Sequence, residues 1–289
     1  MKNKWLSIMI GMIMLVGCVK QDTENMVSIS KIDITELNAQ RKVSKNVIDF
    51  EDDQQGKYDL LKLMINSVDY YNLVSGKMCV TSSYLDNQIQ IKYEFQINIP
   101  EYRSFVYQIS SSGYSEQVMF RDSKNMYFFT GNREDLDNFS FQELINKKEI
   151  SIEEIDKDDD LFKFAKWSLE ERFNDINISR VANDLYGDVA PYLLPEDIAL
   201  RQLGVSLENF NIKEKNNFLK REVFFVEGKI KNDLYVEGGT VSLLVDKETG
   251  IVLKYVRSSN NSRVEMKMES ISIDGDHEED LYEKYIKSS

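Results

Sequence analysis

The stretch QIQIKYEFQINIP, Gln88 to Pro100, alternates without a break. Its odd positions, Ile89, Ile91, Tyr93, Phe95, Ile97 and Ile99, are apolar or aromatic, and its even positions from Gln88 to Asn98 are polar. A period of two over that length predicts a β-strand with one dry face and one wet face. At ~3.3 Å per residue, twelve residues reach roughly 40 Å, about twice a typical strand. Such a strand belongs in a broad, curved antiparallel sheet, with the chain organised around its dry face.

The flanking sequence continues the pattern. Upstream, Leu61, Met64, Ile65, Val68 and Tyr71 form one apolar stripe and predict a helix from Tyr58 to Val74, ended by Ser75-Gly76. A strand from Lys77 to Tyr84 and a turn at Asp86-Asn87 lead into the long strand. Downstream, Arg103–Ser110, Glu116–Arg121 and Asn125–Thr130 read as strands of a meander, separated by short Gly, Ser and Asp turns. From about Asp135 to Leu207 the period becomes helical, with Asp158-Asp159-Asp160 opening one run and Pro195-Glu196-Asp197 another. Strands then resume. Asn209–Lys215 and Phe218–Ile230 flank an Asn216-Asn217 turn, followed by Leu234–Val245, Ile251–Val256 and Arg263–Ile273. The fold class is therefore α+β and mainly β, a curved antiparallel sheet with helices covering its concave side. Residues 56–275 form one domain with a helical insertion at about 135–207, and residues 276–289 form an acidic tail, loose or briefly helical.

The N-terminus carries an address. Lys2 and Lys4 precede an apolar run, Trp5 to Val16, of signal-peptide length, and Leu15-Val16-Gly17-Cys18 follows. This resembles a bacterial lipoprotein signal and its lipobox. The resemblance implies cleavage before Cys18, a diacylglycerol group on its sulfur and an acyl chain such as palmitate on the new N-terminus. Residues 1–17 are then the signal peptide and 18–55 a lipidated tether, holding the chain to the extracytoplasmic face of a bacterial cell membrane. An apolar run of about 12 residues is short for a membrane span.

Composition narrows the function. The chain has two cysteines, so lipidation of Cys18 leaves Cys79 alone, and the mature domain has no internal disulfide. Cys79 sits in a strand-like run and reads as a small buried hydrophobe. The formal charge is −13, and loss of Lys2 and Lys4 with the signal takes it to −15. That argues against nucleic acid and against adhesion to anionic lipid.

The run Gly239-Thr240-Val241-Ser242-Leu243-Leu244-Val245-Asp246-Lys247-Glu248-Thr249-Gly250-Ile251-Val252-Leu253-Lys254-Tyr255 resembles a hairpin of the LolA/LolB/RseB-like envelope proteins. So does the order helix, long strand, meander, helical insert, meander over roughly residues 57–275. The resemblance implies a half-open β-barrel with helices on the concave side. It also implies a hollow that carries lipoprotein acyl chains or senses envelope signals.

Catalytic chemistry is sparse. His277, the one histidine, lies in an acidic tail, which excludes His-rich zinc sites and disfavours a serine triad. Asp156–Asp160 and Asp274-Gly275-Asp276 lack the full spacing of a calcium loop. No phosphate loop or nucleophile elbow is present. We expect no enzyme, no metal and no cofactor. The expected lining of the concave face is Tyr93, Phe95, Phe105, Tyr107, Phe128, Phe225, Leu243, Leu253 and Met266, suited to hydrophobic ligand binding. The expected function is a surface lipoprotein that binds a lipid, an acyl chain or a lipidated partner. The alternative is an RseB-like regulatory module that senses envelope state and holds another membrane protein.

Overall fold

The computed structural model describes residues 51–111, 116–131, 133–155, 185–231, 238–275 and 280–287. Cys18, the signal and most of the tether, Asp156 to Asp160 and His277 lie outside the described residues.

Eleven strands form one antiparallel sheet: β1 Leu73–Tyr84, β2 Asn87–Asn98, β3 Arg103–Ser110, β4 Glu116–Arg121, β5 Asn125–Thr130, β6 Ile150–Glu154, β7 Phe210–Phe218, β8 Arg221–Ile230, β9 Gly239–Asp246, β10 Val252–Ser258 and β11 Ser262–Ile273. Their spatial order is β6-β5-β4-β3-β2-β1-β11-β10-β9-β8-β7. Two meanders, β1–β6 and β7–β11, are thus joined by the pairing of β1 with β11, and β6 and β7 are the two rims of an unclosed, curved sheet. Register shifts at Lys77/Met78, Ile212/Lys215 and Val252/Lys254 are irregularities of the kind that bend strands and increase their twist. The expected half-open β-barrel, mainly β, is the observed architecture.

Helix α1, Gln54–Ile65, starts four residues before the predicted start at Tyr58 and ends nine before Val74. Asp53 caps it by accepting from Gly56 N at 2.7 Å, and Asn66 ends it with its Nδ2 on Lys62 O. Residues 51–55, read as the end of the tether, belong to this structure: Asp52 Oδ1 accepts from Ile212 N at 2.8 Å, tying the helix start to the β7 rim. Gly76, read as a helix stop, lies within β1. A Cβ there would meet Ser270 O at 2.3 Å and the Phe95 ring at 3.1 Å, so the glycine permits close strand approach. Three further departures concern strands. The Ile150–Glu154 strand lies inside the span read as helical. Asn216 and Asn217 lie within β7, and the reversal falls on Leu219 and Lys220, at φ +52° and +63°. Leu234–Val245 is a strand from Gly239 onward, with 232–237 outside the described residues.

The core is double. The main cluster fills the concave side: α1, Val68 and Tyr71, and the segment Leu185–Leu203 pack on the inner faces of the strands. Two helices follow β5, α2 at Arg133–Asn138 and α3 at Phe141–Asn146. The segment Leu185–Leu203 is built of short pieces, including a 3₁₀ turn at Gly187–Val189, α4 at Ala190–Leu193 and a π-helical turn at Ile198–Leu203. The second cluster lies behind β3–β6 and comprises Phe105, Val118, Phe120, Phe129 and Ile150 under α3 and the C-terminal segment. Of the tail read as loose or briefly helical, residues 281–287 are helical and docked, with Tyr282 and Tyr285 buried. No helix among the described residues is long and apolar enough to cross a membrane.

Candidate functional site

Strand register decides which side chains share the hollow. One row runs Ile212, Val226, Leu243, Tyr255, Met266, Val80, Ile91 across β7, β8, β9, β10, β11, β1 and β2. A second runs Gly76, Phe95, Val106, Met119, Phe128 across β1 to β5. Tyr93, opposite Met78, stands between them. Of the nine residues expected to line this face, Tyr93, Phe95, Leu243, Leu253 and Met266 are buried in the main core, and Phe128 has the same parity and is half-buried.

Three expectations are corrected. Phe105 and Tyr107 pair with Gln96 and Glu94 of β2, the face opposite Tyr93 and Phe95, and pack in the second cluster. Phe225 pairs with Leu244 on the outer face of β8–β9, because Val226 and Leu243 take the inner positions. Alternation places two residues of one strand on one side, but it does not say which side faces the hollow.

The hollow is filled among the described residues. Leu60, Leu61 and Met64 of α1 are fully buried, each worth about 1.5–3 kcal/mol of transfer free energy. The plug contributes Leu193, Ala199, Leu200 and Leu203. Polar groups tie it to the chain after α1: Ser67 Oγ donates to Leu193 O at 2.9 Å, and Tyr71 Oη lies 3.2 Å from both Leu193 O and Tyr186 Oη. Tyr255 Oη donates to Gln202 Oε1 at 3.0 Å, and the Tyr192 ring lies 6.0 Å from that of Tyr255.

Of these tyrosines, Tyr71 belongs to the apolar stripe read in the sequence, whereas Tyr186 and Tyr192 were not singled out and Tyr255 was quoted only within the hairpin, although it alternates correctly with Leu253. Burial pushes the Tyr93 phenol up to about 12, helped by the carboxylate of Asp188. Burial also raises Tyr192 and Tyr255. The phenols are neutral at any ordinary pH and act as hydrogen-bonding aromatics. Apolar walls with a few neutral polar tips suit a hydrophobic chain. Among the described residues, no group of three or more His, Cys, Asp or Glu could hold a metal.

Solved structures of similar fold include MucB, with TM-score 0.40 and 9% identity over 79% of this chain and 62% of that one. LprF from Mycobacterium bovis follows, with TM-score 0.37 and 10% identity over 79% of this chain and 98% of that one. Lipoprotein LppX from Mycobacterium tuberculosis has TM-score 0.35 and 7% identity over 77% of this chain and 100% of that one. The chain thus spans less than two thirds of MucB. No family model and no curated protein sequence matches it.

Proposed function

We propose that this chain is a lipid-anchored, extracytoplasmic binding protein without catalytic activity. Its concave sheet holds a hydrophobic chain or the lipid of a lipidated partner. The observation that supports this most is how the hollow is filled. Beside α1, the part of the plug formed by residues 187–203 is a series of short turns, three to six residues each, rather than a long helix. Turns that short have little helical stability of their own. They are held by apolar burial, which an acyl chain can replace because the hydrophobic effect is non-directional. The anchoring half of the reading rests on Cys18 and its preceding signal.

Two measurements test this. The delipidated domain, extracted and examined by lipid mass spectrometry, is expected to return a bound lipid. A fluorescent fatty acid is expected to bind the purified domain saturably, and more tightly when Leu193→Ala loosens the plug. No extractable lipid and no saturable binding by either protein would sink the reading.

The filled hollow also favours a second reading, an envelope-sensing module that holds another membrane protein on its outer surfaces. A stoichiometric protein partner recovered from detergent-solubilised membranes, with no lipid in the hollow, selects this one.

A further inference from the structure

The back of the sheet carries a site unrelated to the hollow. Residues 280–287 lie in a groove between β3–β5 and the ends of α2 and α3. Tyr285 stacks on Phe105 at 5.7 Å between centroids and meets Phe120 edge-on at 6.0 Å. Its hydroxyl donates to Asp137 Oδ1 at 3.1 Å. One turn earlier, the Tyr282 hydroxyl donates to Asp122 Oδ2 at 3.1 Å. Between them stands Arg103, 7% exposed, with its guanidinium over the Tyr282 ring and paired with Glu101, Asp280 and Glu283. The groove is thus built for two tyrosines three residues apart flanked by carboxylates.

Two observations show that the C-terminal segment fits this groove incompletely. First, its backbone takes no place in the sheet, and Leu281 N reaches β2 through a side chain, Gln96 Oε1, at 2.8 Å. Second, a gap of about 120 Å³ lies beside it, its lining including Gln96, Asn98, Arg103 and Ser104 of the sheet and Asp280 and Tyr282 of the segment itself. Within the residues that line this gap, Ser104 Oγ and Arg103 Nε are buried donors with no hydrogen-bond partner among the described residues. A buried donor left unpaired is costly, which marks the packing here as imperfect.

We propose that residues 280–287 are a releasable latch over a peptide-docking groove. The groove accepts in their place an acidic segment of a partner protein with tyrosines at i and i+3. Such a segment would take over the pairing of Arg103 now made by Asp280 and Glu283. Arg103 provides the charge complementarity, and Phe105 and Phe120 the ring slots.

The test uses the full-length chain. In hydrogen exchange, amides of 281–287 are expected to exchange at least tenfold faster than those of β3 and β4 while the sheet stays protected. Exchange of both in one step would overturn the latch. For the groove, the probe is a fluorescein-labelled peptide of residues 276–289, titrated against the wild type and against the Tyr282→Ala/Tyr285→Ala chain. It is expected to bind the double variant at least tenfold more tightly than the wild type. Adding Arg103→Gln should lower that binding about tenfold. A double variant that melts cooperatively yet binds no better than the wild type would overturn the groove, and if it does not fold, the exchange result on the wild type decides.

Discussion

Asp246 Oδ2 lies 2.5 Å from Arg221 Nε, and the Asp246 carboxylate is wholly buried. Its other oxygen accepts from Thr249 N at 2.8 Å and Thr249 Oγ1 at 2.6 Å. One carboxylate therefore closes the β9–β10 loop and clamps it to β8. Gly250, the loop's last residue, has φ +76°, and a Cβ there would sit 2.6 Å from Leu63 O of α1. The Asp-Lys-Glu-Thr-Gly signature is thus the seat on which the plugging helix rests.

Asp246→Ala is expected to destabilise the fold by about 3 kcal/mol, the order found when one partner of a buried ion pair is removed. Arg221→Met should cost less, because Asp246 then keeps its bonds to Thr249 N and Thr249 Oγ1, which the Asp246 variant also loses. Urea midpoints of the two variants check this. Equal midpoint shifts would show that the loop bonds of Asp246 contribute nothing beyond the ion pair.

Gly250→Ala combines a left-handed backbone with a collision against α1. The backbone alone costs roughly 1 kcal/mol for a residue with a Cβ. A loss of at least 2 kcal/mol is expected in thermal melts, with α1 loosened. A neutral substitution would mean that the helix does not bear on this loop.

Met64→Ala, at a fully buried position of α1, should cost about 2–5 kcal/mol through lost transfer free energy and the cavity left behind. Tyr71→Phe at the same face should cost only about 1 kcal/mol, the net worth of one hydrogen bond. Denaturant titrations of both report whether packing or polar pairing holds the plug.

Alkaline stability follows from two phenols. Tyr93 and Tyr127 are each pushed up to about 12 from an ordinary 10, first by burial and then by Asp188 and Asp122 respectively. The folded values lie above the unfolded one, so the fold favours the neutral phenol. Their contribution is fully present below pH 10 and is lost as pH rises through about 12. The wild type should lose more stability between pH 10 and 12 than Tyr93→Phe/Tyr127→Phe, measured by urea midpoints. Parallel pH profiles would contradict the assignment.

The long β2 alternation was readable because every other side chain meets the main core from Tyr93 onward, and β3, β4 and β5 fall where their turns predict. What was not readable has physical causes. Behind β3–β6 the sheet is apolar on both sides, so Phe105 and Phe95 look alike in sequence though they face different cores. Asn216-Asn217 has better turn chemistry than Leu219-Lys220, yet the register shift in β7 moves the reversal onward. Ile150 and Ile152 alternate over only five residues, too short a run to stand out from a helical span. The C-terminal tyrosines gave no pattern of their own, because the groove that holds them is assembled from distant strands.

Strands β6 and β7 are the two rims, and the chain between them passes from one rim to the other with its described part, 185–209, set across the hollow. That crossing works like a drawstring on an open purse. The rims cannot spread farther than the crossing chain can extend. The span of the hollow is thus tied to the length of one chain segment, by connectivity alone.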